Sequence, residues 1–305
     1  MSFKRSAALS VAAMMSAGLM QSASAELYVY EGFQYSNDGD ILDGEPDGSG
    51  TPADINATGL GGVWDDQLTK TEHLDIYENS LSFGDLVTNG NHVGSETTSQ
   101  ENIYVRSMTN TNIGSTDDLY FSILIKPTNS NSASRSGLIL SDTNATGTNG
   151  RFDNVSVTNG IGVGSEGFAN FNPFVWDGGV QTASTGSLST SDGTTYLLVG
   201  HLSFNSHVSG DDEFTLYNYN LTTSGGTVTA DFANLDIIGE TLRVDIDEDL
   251  TEKLDVINLT RQRQPFYDEI RVASTLEEAL AVPEPTSLAL LGLGGLLVAS
   301  RRRRA

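Results

Sequence analysis

An acidic loop near the start of the chain has the residue types and spacing of a calcium ligand set. From position 43 to position 54 it reads DGEPDGSGTPAD. Carboxylates at positions 1, 3, 5 and 12 with a glycine at position 6 suit a twelve-residue calcium loop, whose oxygens wrap one hard cation. Calcium is therefore a candidate cofactor, with a plain solvated loop as the alternative because two prolines interrupt the segment. The candidate ligands are Asp43, Glu45, Asp47 and Asp54.

Trp176 is a candidate for contact with carbohydrate. An indole ring has a broad apolar face that suits the CH groups of a pyranose, and its N–H can form a hydrogen bond. Asp177 and Gly178 follow it and are typical of a turn. The sequence predicts a sugar-stacking surface at Trp176, with a tryptophan buried in the core as the alternative.

Patterns for catalysis are incomplete throughout the chain. The four histidines have no zinc-ligand spacing, and no serine lies in a Gly-x-Ser-x-Gly turn. The glycines from Gly162 to Gly167 fit a dinucleotide-binding string, but Pro173 follows where a helix would have to hold the phosphates. We therefore expect a protein that is not an enzyme.

Short strands are the elements that must position these side chains. Apolar and polar residues alternate in many short runs, which are separated by clusters of Gly, Asn, Ser and Thr, and 32 residues are glycine. No segment between the two ends of the chain sustains a helical period, so the pattern predicts an all-β sandwich. The predicted strands are 27–33, 81–87, 103–106, 118–126, 137–140, 152–157, 195–204, 214–219 and 266–272.

The first 25 residues have the pattern of a secretory signal peptide. Lys4 and Arg5 precede an apolar run from Ala7 to Met20, and the small residues Ala23-Ser24-Ala25 follow. Such a segment is removed during secretion, so we expect the exported chain to begin at Glu26.

The C-terminal region, residues 281–305, has three consecutive parts. The triplet Pro283-Glu284-Pro285 precedes an apolar run from Leu288 to Ala299, which is followed by four arginines. This order resembles a PEP-CTERM sorting signal. The resemblance implies an exosortase in the membrane that recognises Pro283, Glu284 and Pro285 and cuts near them, placing the protein in the cell envelope or extracellular matrix.

The physical character of this tail agrees with a temporary membrane anchor. Residues 286–300 would span about 22 Å as a helix, which is less than the hydrocarbon core of about 30 Å. The positive-inside rule would keep a basic end cytoplasmic, so the body would face outward. The basic residues that would stop the anchor in the membrane are Arg301, Arg302, Arg303 and Arg304.

The charge of the chain lies almost entirely in its central part. Residues 26–285 contain ten basic residues and all forty acidic residues, a net charge of −30. Nucleic acids and anionic lipids bind through basic patches, so this charge argues against both as partners of the body and favours cations. The chain has no cysteine, which excludes disulfides and thiolate metal sites.

Two short strings at the ends of residues 26–280 carry a second resemblance. They are YEGFQY at 30–35 and YDEIRV at 267–272. Both resemble strands of exported concanavalin A-like or laminin G-like jelly rolls, and the 255-residue length suits such a sandwich better than an immunoglobulin unit of about 100 residues. The resemblance implies a non-catalytic, carbohydrate-associated module with exopolysaccharide as its partner.

A glycan-cleaving enzyme of the concanavalin A-like glucanase type is the alternative. Those enzymes carry two carboxylates on a Glu-x-Asp-x-x-Glu strand, one to attack and one to protonate the sugar. This chain lacks that string, and the nearest acidic alternation, Asp245 to Asp249, has no terminal glutamate. A degenerate or unrecognised enzyme of this type remains the second function.

The two ends of the sandwich are expected to lie side by side. In jelly rolls of this kind the two chain ends usually meet. We therefore expect the strand at 27–33 to lie beside the strand at 266–272, which leaves the opposite end free for a partner. Strict alternation puts Phe266, Ile270 and Val272 on the core face and turns Glu269 toward solvent.

Overall fold

The computed structural model describes ten segments of the chain. They are residues 25–35, 57–68, 74–95, 101–109, 118–128, 135–165, 170–204, 212–244, 254–262 and 265–281. The signal peptide through Ser24, the acidic segments 43–54 and 245–249 and the sorting tail from Val282 onward lie outside these residues. Within them, no helix is long and apolar enough to cross a membrane.

Strands dominate the described residues. Two 3-10 turns, Phe152–Asn154 and Phe232–Asn234, and one short helix, α1 (Leu276–Ala279), accompany seventeen strands. The strands are β1 (Leu27–Glu31), β2 (Leu60–Asp66), β3 (Asp75–Tyr77), β4 (His92–Gly94), β5 (Glu101–Met108), β6 (Leu119–Pro127), β7 (Gly137–Ser141), β8 (Gly160–Ser165), β9 (Asn170–Asp177), β10 (Val180–Ala183), β11 (Leu188–Ser189), β12 (Tyr196–Ser203), β13 (Asp212–Tyr219), β14 (Leu235–Ile237), β15 (Leu242–Val244), β16 (Val256–Gln262) and β17 (Pro265–Ala273).

These strands form two sheets that pack face to face. The nine-stranded sheet has the order β14-β13-β12-β6-β17-β4-β3, with β1 also paired to β17 and β15 to β13. The eight-stranded sheet has the order β10-β9-β8-β7-β16-β5-β2, with β11 paired to β9. Several neighbouring strands are distant in sequence, as crossovers between the two sheets require, and this confirms the predicted all-β sandwich.

The main core lies between the two sheets, and β6 shows how alternation builds it. Leu119, Phe121, Ile123 and Ile125 all point inward and are buried in the inter-sheet cluster. The residues between them face outward, among them Tyr120. Each fully buried Leu or Phe side chain contributes about 1.5–3 kcal/mol of transfer free energy, so one such strand supplies a large share of the core.

Both sheets are also covered on their outer faces. Segments 81–86 and 221–235 and helix α1 pack on the nine-stranded sheet, where Ser122 Oγ donates to the Ala279 carbonyl oxygen at 2.6 Å. The segment 142–157 packs on the eight-stranded sheet. Central strands are therefore buried on both faces, which removes the alternating pattern from strands such as β16.

Two of the predicted strands are wrong. Residues 81–87 form a turn in which Leu86 N donates to the Phe83 carbonyl oxygen and Gly84 has a φ of 57°. Residues 152–157 begin with a 3-10 turn, in which Asn154 N donates to the Arg151 carbonyl oxygen. Their apolar residues cover the outer faces of the sheets, which produces an alternating pattern outside the strands. Ser156 forms only an isolated bridge with Thr146.

The two ends of the sandwich meet as expected. Strand β1 pairs antiparallel with β17, with Glu31 opposite Ile270. Beyond the strands, Glu26 N donates to Ser274 Oγ at 2.9 Å and Ser274 N donates to the Glu26 carbonyl oxygen at 3.0 Å. The start of the described chain therefore lies beside the segment that leads into the sorting tail.

A β-bulge in β17 overturns the predicted alternation. The register with β6 shifts between Asp268 and Arg271, as an extra residue in one strand requires. At this point Glu269 takes a positive φ, in the left-handed region. Tyr267, Ile270 and Val272 consequently share the inter-sheet core, whereas Phe266 packs on the outer face. The expectation that Phe266 shares a face with Ile270, and that Glu269 faces solvent, is wrong because the extra residue inverts the pattern.

Asp268, at this bulge, makes the stability of the fold depend on pH. Its carboxylate accepts hydrogen bonds from Leu81 N at 2.7 Å and Glu269 N at 2.8 Å. Burial, followed by the charge of Glu269, nevertheless raises the pKa of Asp268 from 3.8 to about 8, because both disfavour the ionised form. Between these two values the unfolded chain binds fewer protons than the folded chain, so this group's contribution to stability falls as pH rises.

We expect Asp268→Asn to remove this dependence. The wild type should be most stable relative to the variant near pH 4. Its free energy of unfolding should then fall steadily relative to that of the variant up to about pH 8. Urea denaturation at intervals across that range measures it. A constant difference would contradict the raised pKa of Asp268.

Candidate functional site

Trp176 does not form the predicted sugar-stacking surface. It lies in β9 with an exposed fraction of 0%. Its ring centroid is 5.5 Å from that of Phe152 and 6.1 Å from that of Phe174, in the cluster under segment 142–157. The prediction is wrong because that segment folds back over the eight-stranded sheet and covers the strand before its turn.

The calcium prediction at 43–54 lies outside the described residues and stays a prediction. Among the residues that are described, no three His, Asp or Glu side chains come together in a group that could hold a metal ion.

A cleft of about 440 Å³ opens on the outer face of the nine-stranded sheet. It lies where β6 begins and β17 ends, next to the start of β1. Its lining combines aromatic rings with carboxylates and hydroxyls. The lining residues are Glu26, Tyr28, Asp118, Tyr120, Ala230, Phe232, Ser274, Thr275, Leu276 and Glu277.

Aromatic rings form one wall of this cleft. Tyr120 of β6 and His201 of β12 lie directly opposite each other in the sheet, and their rings stack at 4.5 Å with an interplanar angle of 3°. Phe232 lies over them, 6.2 Å from each ring centroid. Its side chain is among the few large apolar ones that are exposed in the described residues. Phenylalanine is usually buried, so this exposure leaves an apolar face open to a ligand.

Local caps hold two sides of the cleft in place. Asp231 Oδ1 accepts from Ala233 N at 2.9 Å and so caps the 3-10 turn that carries Phe232. On the other side, Thr275 Oγ1 accepts from Glu278 N and caps α1, which places Glu277 at the cleft. Both side chains satisfy backbone N–H groups that would otherwise lack a partner within the turn or helix.

The two titratable rings of the aromatic wall, His201 and Tyr120, are uncharged at neutral pH. Burial lowers the pKa of His201, although the neighbouring carboxylate of Asp118 acts in the opposite direction. Burial, with a further contribution from Asp118, raises the pKa of Tyr120. In both cases the loss of solvent penalises the charged form. The stacked pair therefore presents neutral rings, and the charge of the cleft comes from its carboxylates.

The cleft lies at the end of the sandwich where the chain ends meet. Glu26 and the segment from Ser274 to Glu277 line it, and the described chain stops at Ala281. The expectation that the opposite end offers the partner surface stays a prediction. Sequence reasoning missed the cleft because its walls come from four segments far apart in the chain.

The C-terminal tail matches a known sorting family over residues 281–304. The chain carries a PEP-CTERM protein-sorting motif. It begins where the described residues end. The PEP-CTERM motif implies export, membrane anchoring before processing, and an exosortase as the processing partner. No curated protein matches the chain.

Solved structures similar to this chain are distant in sequence. The globular domain of T. cruzi calreticulin is 12% identical and covers 92% of this chain and 100% of its own, with a TM-score of 0.46. A protein of unknown function from Shewanella oneidensis MR-1 is also 12% identical, over 89% and 95%, with a TM-score of 0.45. A legume lectin-like domain from Entamoeba histolytica is 11% identical, over 62% and 86%, with a TM-score of 0.39.

Proposed function

We propose that this chain is an exosortase-processed protein of the cell envelope or extracellular matrix whose sandwich binds exopolysaccharide without cleaving it. The sorting motif at 281–304 supports the first part. The secretion machinery would remove residues 1–25, and the exosortase would cut near Pro283, Glu284 and Pro285. The membrane is then a partner only before processing.

The aromatic cleft supports the second part and is the observation that carries it. A pyranose ring has an apolar face of CH groups and a rim of hydroxyls, so it needs an exposed aromatic face with polar groups around it. Phe232 supplies the face, while Asp118, Ser274 and Glu277 supply acceptors and a donor around it. A volume of about 440 Å³ accommodates a few sugar units rather than a single ion.

The arrangement of the carboxylates favours binding over hydrolysis. Glucanases of the concanavalin A-like type carry their two catalytic carboxylates on one strand. Here Glu26 precedes β1, Asp118 precedes β6 and Glu277 lies on α1, so no two carboxylates among the described cleft residues share a strand. Glycan cleavage by an unrecognised pair is the second function and is tested in the same experiment.

Replacing Phe232 by alanine should weaken polysaccharide binding about tenfold, since that change removes the stacking face. The measurement is titration calorimetry of the purified protein with oligosaccharides from the exopolysaccharide of the producing cells. Val180→Ala is the matched control, because Val180 is exposed on a hairpin of the other sheet. Equal affinities for wild type and Phe232→Ala would contradict the cleft as the binding site, and shortened oligosaccharides would favour the enzyme.

A further inference from the structure

The charge of the cleft is predominantly negative. Among the described residues that line it, none is a lysine or an arginine and three are carboxylates: Glu26, Asp118 and Glu277. His201 lies 3.3 Å from Asp118, but burial lowers its pKa and keeps the imidazole uncharged. If the signal peptide is removed after Ala25, the new amino group at Glu26 lies beside Ser274 Oγ, which still leaves the carboxylates in excess. A lining of this kind repels uronates and other acidic sugars and attracts cations.

The aromatic wall adds a second attraction for the same type of ligand. The face of an aromatic ring is negative, so a cation within about 6 Å of the ring centroid is stabilised. The exposed Phe232 offers such a face in the cleft that Asp118 also lines. A ligand that carries both an apolar ring face and a positive charge therefore uses both features of the cleft at once.

A hexosamine with a free amino group has this chemistry. Its pyranose CH face can stack on Phe232, while its ammonium group can be held by the carboxylates of Asp118 and Glu277. We propose that the cleft selects a cationic amino-sugar polymer, that is, a partly or fully N-deacetylated hexosamine chain. This inference rests on the proposed carbohydrate-binding function and names its ligand class.

Three oligosaccharides with the same backbone separate the contribution of the charged amine from that of the sugar ring. The purified protein is titrated with hexamers of glucosamine, N-acetylglucosamine and glucose, all β-1,4-linked, at a mildly acidic pH where the amine is charged. We expect the glucosamine hexamer to bind at least about tenfold more tightly than the other two. Equal affinity for all three would overturn the amino-sugar inference and leave carbohydrate binding standing. Binding of none of them would overturn the inference, and the exopolysaccharide titration with Phe232→Ala then decides separately whether the cleft binds carbohydrate.

A pair of adjacent glutamates distinguishes a site from general attraction to an acidic surface. Glu277→Gln should weaken glucosamine-hexamer binding about tenfold, whereas Glu278→Gln should leave it unchanged, because Glu277 lines the cleft and Glu278 does not. Both variants change the net charge by the same amount. Equal weakening by the two would show diffuse attraction and overturn the inference.

Discussion

Replacing Glu31 by alanine is expected to cost about 3–5 kcal/mol of folding free energy, a large part of the roughly 5–15 kcal/mol that typically stabilises a domain. Glu31 is 0% exposed and pairs with Arg106 of the opposite sheet. It also accepts hydrogen bonds from Phe33 N at 2.8 Å, Trp64 Nε1 at 3.2 Å and Tyr35 Oη at 3.3 Å. The alanine variant removes the carboxylate that pairs with the buried guanidinium of Arg106, which is the costly part of the change.

Urea denaturation of Glu31→Ala measures this cost, and a double variant identifies its origin. Glu31→Leu with Arg106→Met removes both charges together and should recover the part of the loss that comes from the unbalanced charge, because apolar replacements of a buried ion pair are often neutral. The donors of Phe33, Trp64 and Tyr35 still lose their acceptor, so the recovery should be partial. A loss below about 1 kcal/mol in Glu31→Ala would contradict the role of this pair in joining the sheets.

Replacing Glu269 by alanine is expected to cost about 3 kcal/mol, because it removes a buried carboxylate with several partners. Glu269 is 1% exposed. Its Oε1 accepts from Tyr30 Oη at 3.1 Å and Asn89 N at 2.7 Å, and its Oε2 accepts from Arg271 at 2.9 Å. The Arg271 guanidinium also lies 4.4 Å from the centroid of the Tyr30 ring, so the alanine variant loosens the whole group.

The same denaturation measurement with two controls tests this prediction. Glu269→Gln keeps an acceptor oxygen and should cost less than Glu269→Ala, while Glu278→Ala on α1 should stay within about 0.5 kcal/mol of wild type. A near-neutral Glu269→Ala would restore the simple alternation of β17 and contradict the bulge.

The two strings that carried the fold resemblance turn out to be structural. Tyr30 and Glu31 come from the first string, Glu269 and Arg271 from the second, and the strings meet through the Tyr30–Glu269 hydrogen bond. Their positions at the two ends of the domain could be predicted from the sequence. The burial of their charges could not, because it depends on Arg106 and on a bulge that no local pattern reveals.

Strands buried on both faces were the hardest to predict. β16 reads VINLTRQ and places polar side chains in the interior, where Asn258 donates to Ser141 Oγ at 2.7 Å and accepts from Ala145 N at 2.7 Å. β8 contains Gly164, whose open face receives the ring of Phe152. Asparagine and glycine are typical of loops, so the sequence pattern does not indicate a strand at these positions. Their contacts with Ala145 and Phe152 come from the segment that folds over the sheet.

For the candidate functional residues too, the sequence predicts what lies in one continuous segment and misses what the fold brings together. The sorting tail is one continuous segment, so its order of triplet, apolar run and arginines could be predicted from sequence alone. The cleft joins Glu26, Asp118, Phe232 and Glu277, and only the topology brings them together. Trp176 was chosen for its neighbours in sequence, whereas its burial is decided by a covering segment that lies before β8 in the chain.

One intact-mass measurement tests the central claim, which is export followed by cutting at the sorting motif. Protein harvested from the matrix of cells with the cognate exosortase should have the mass of a chain that begins at Glu26 and ends near Pro285. Cells without that exosortase should retain the tail, and so should the Glu284→Ala variant, which alters the triplet between two rigid prolines. A matrix protein that still carries Arg301, Arg302, Arg303 and Arg304 would contradict the account.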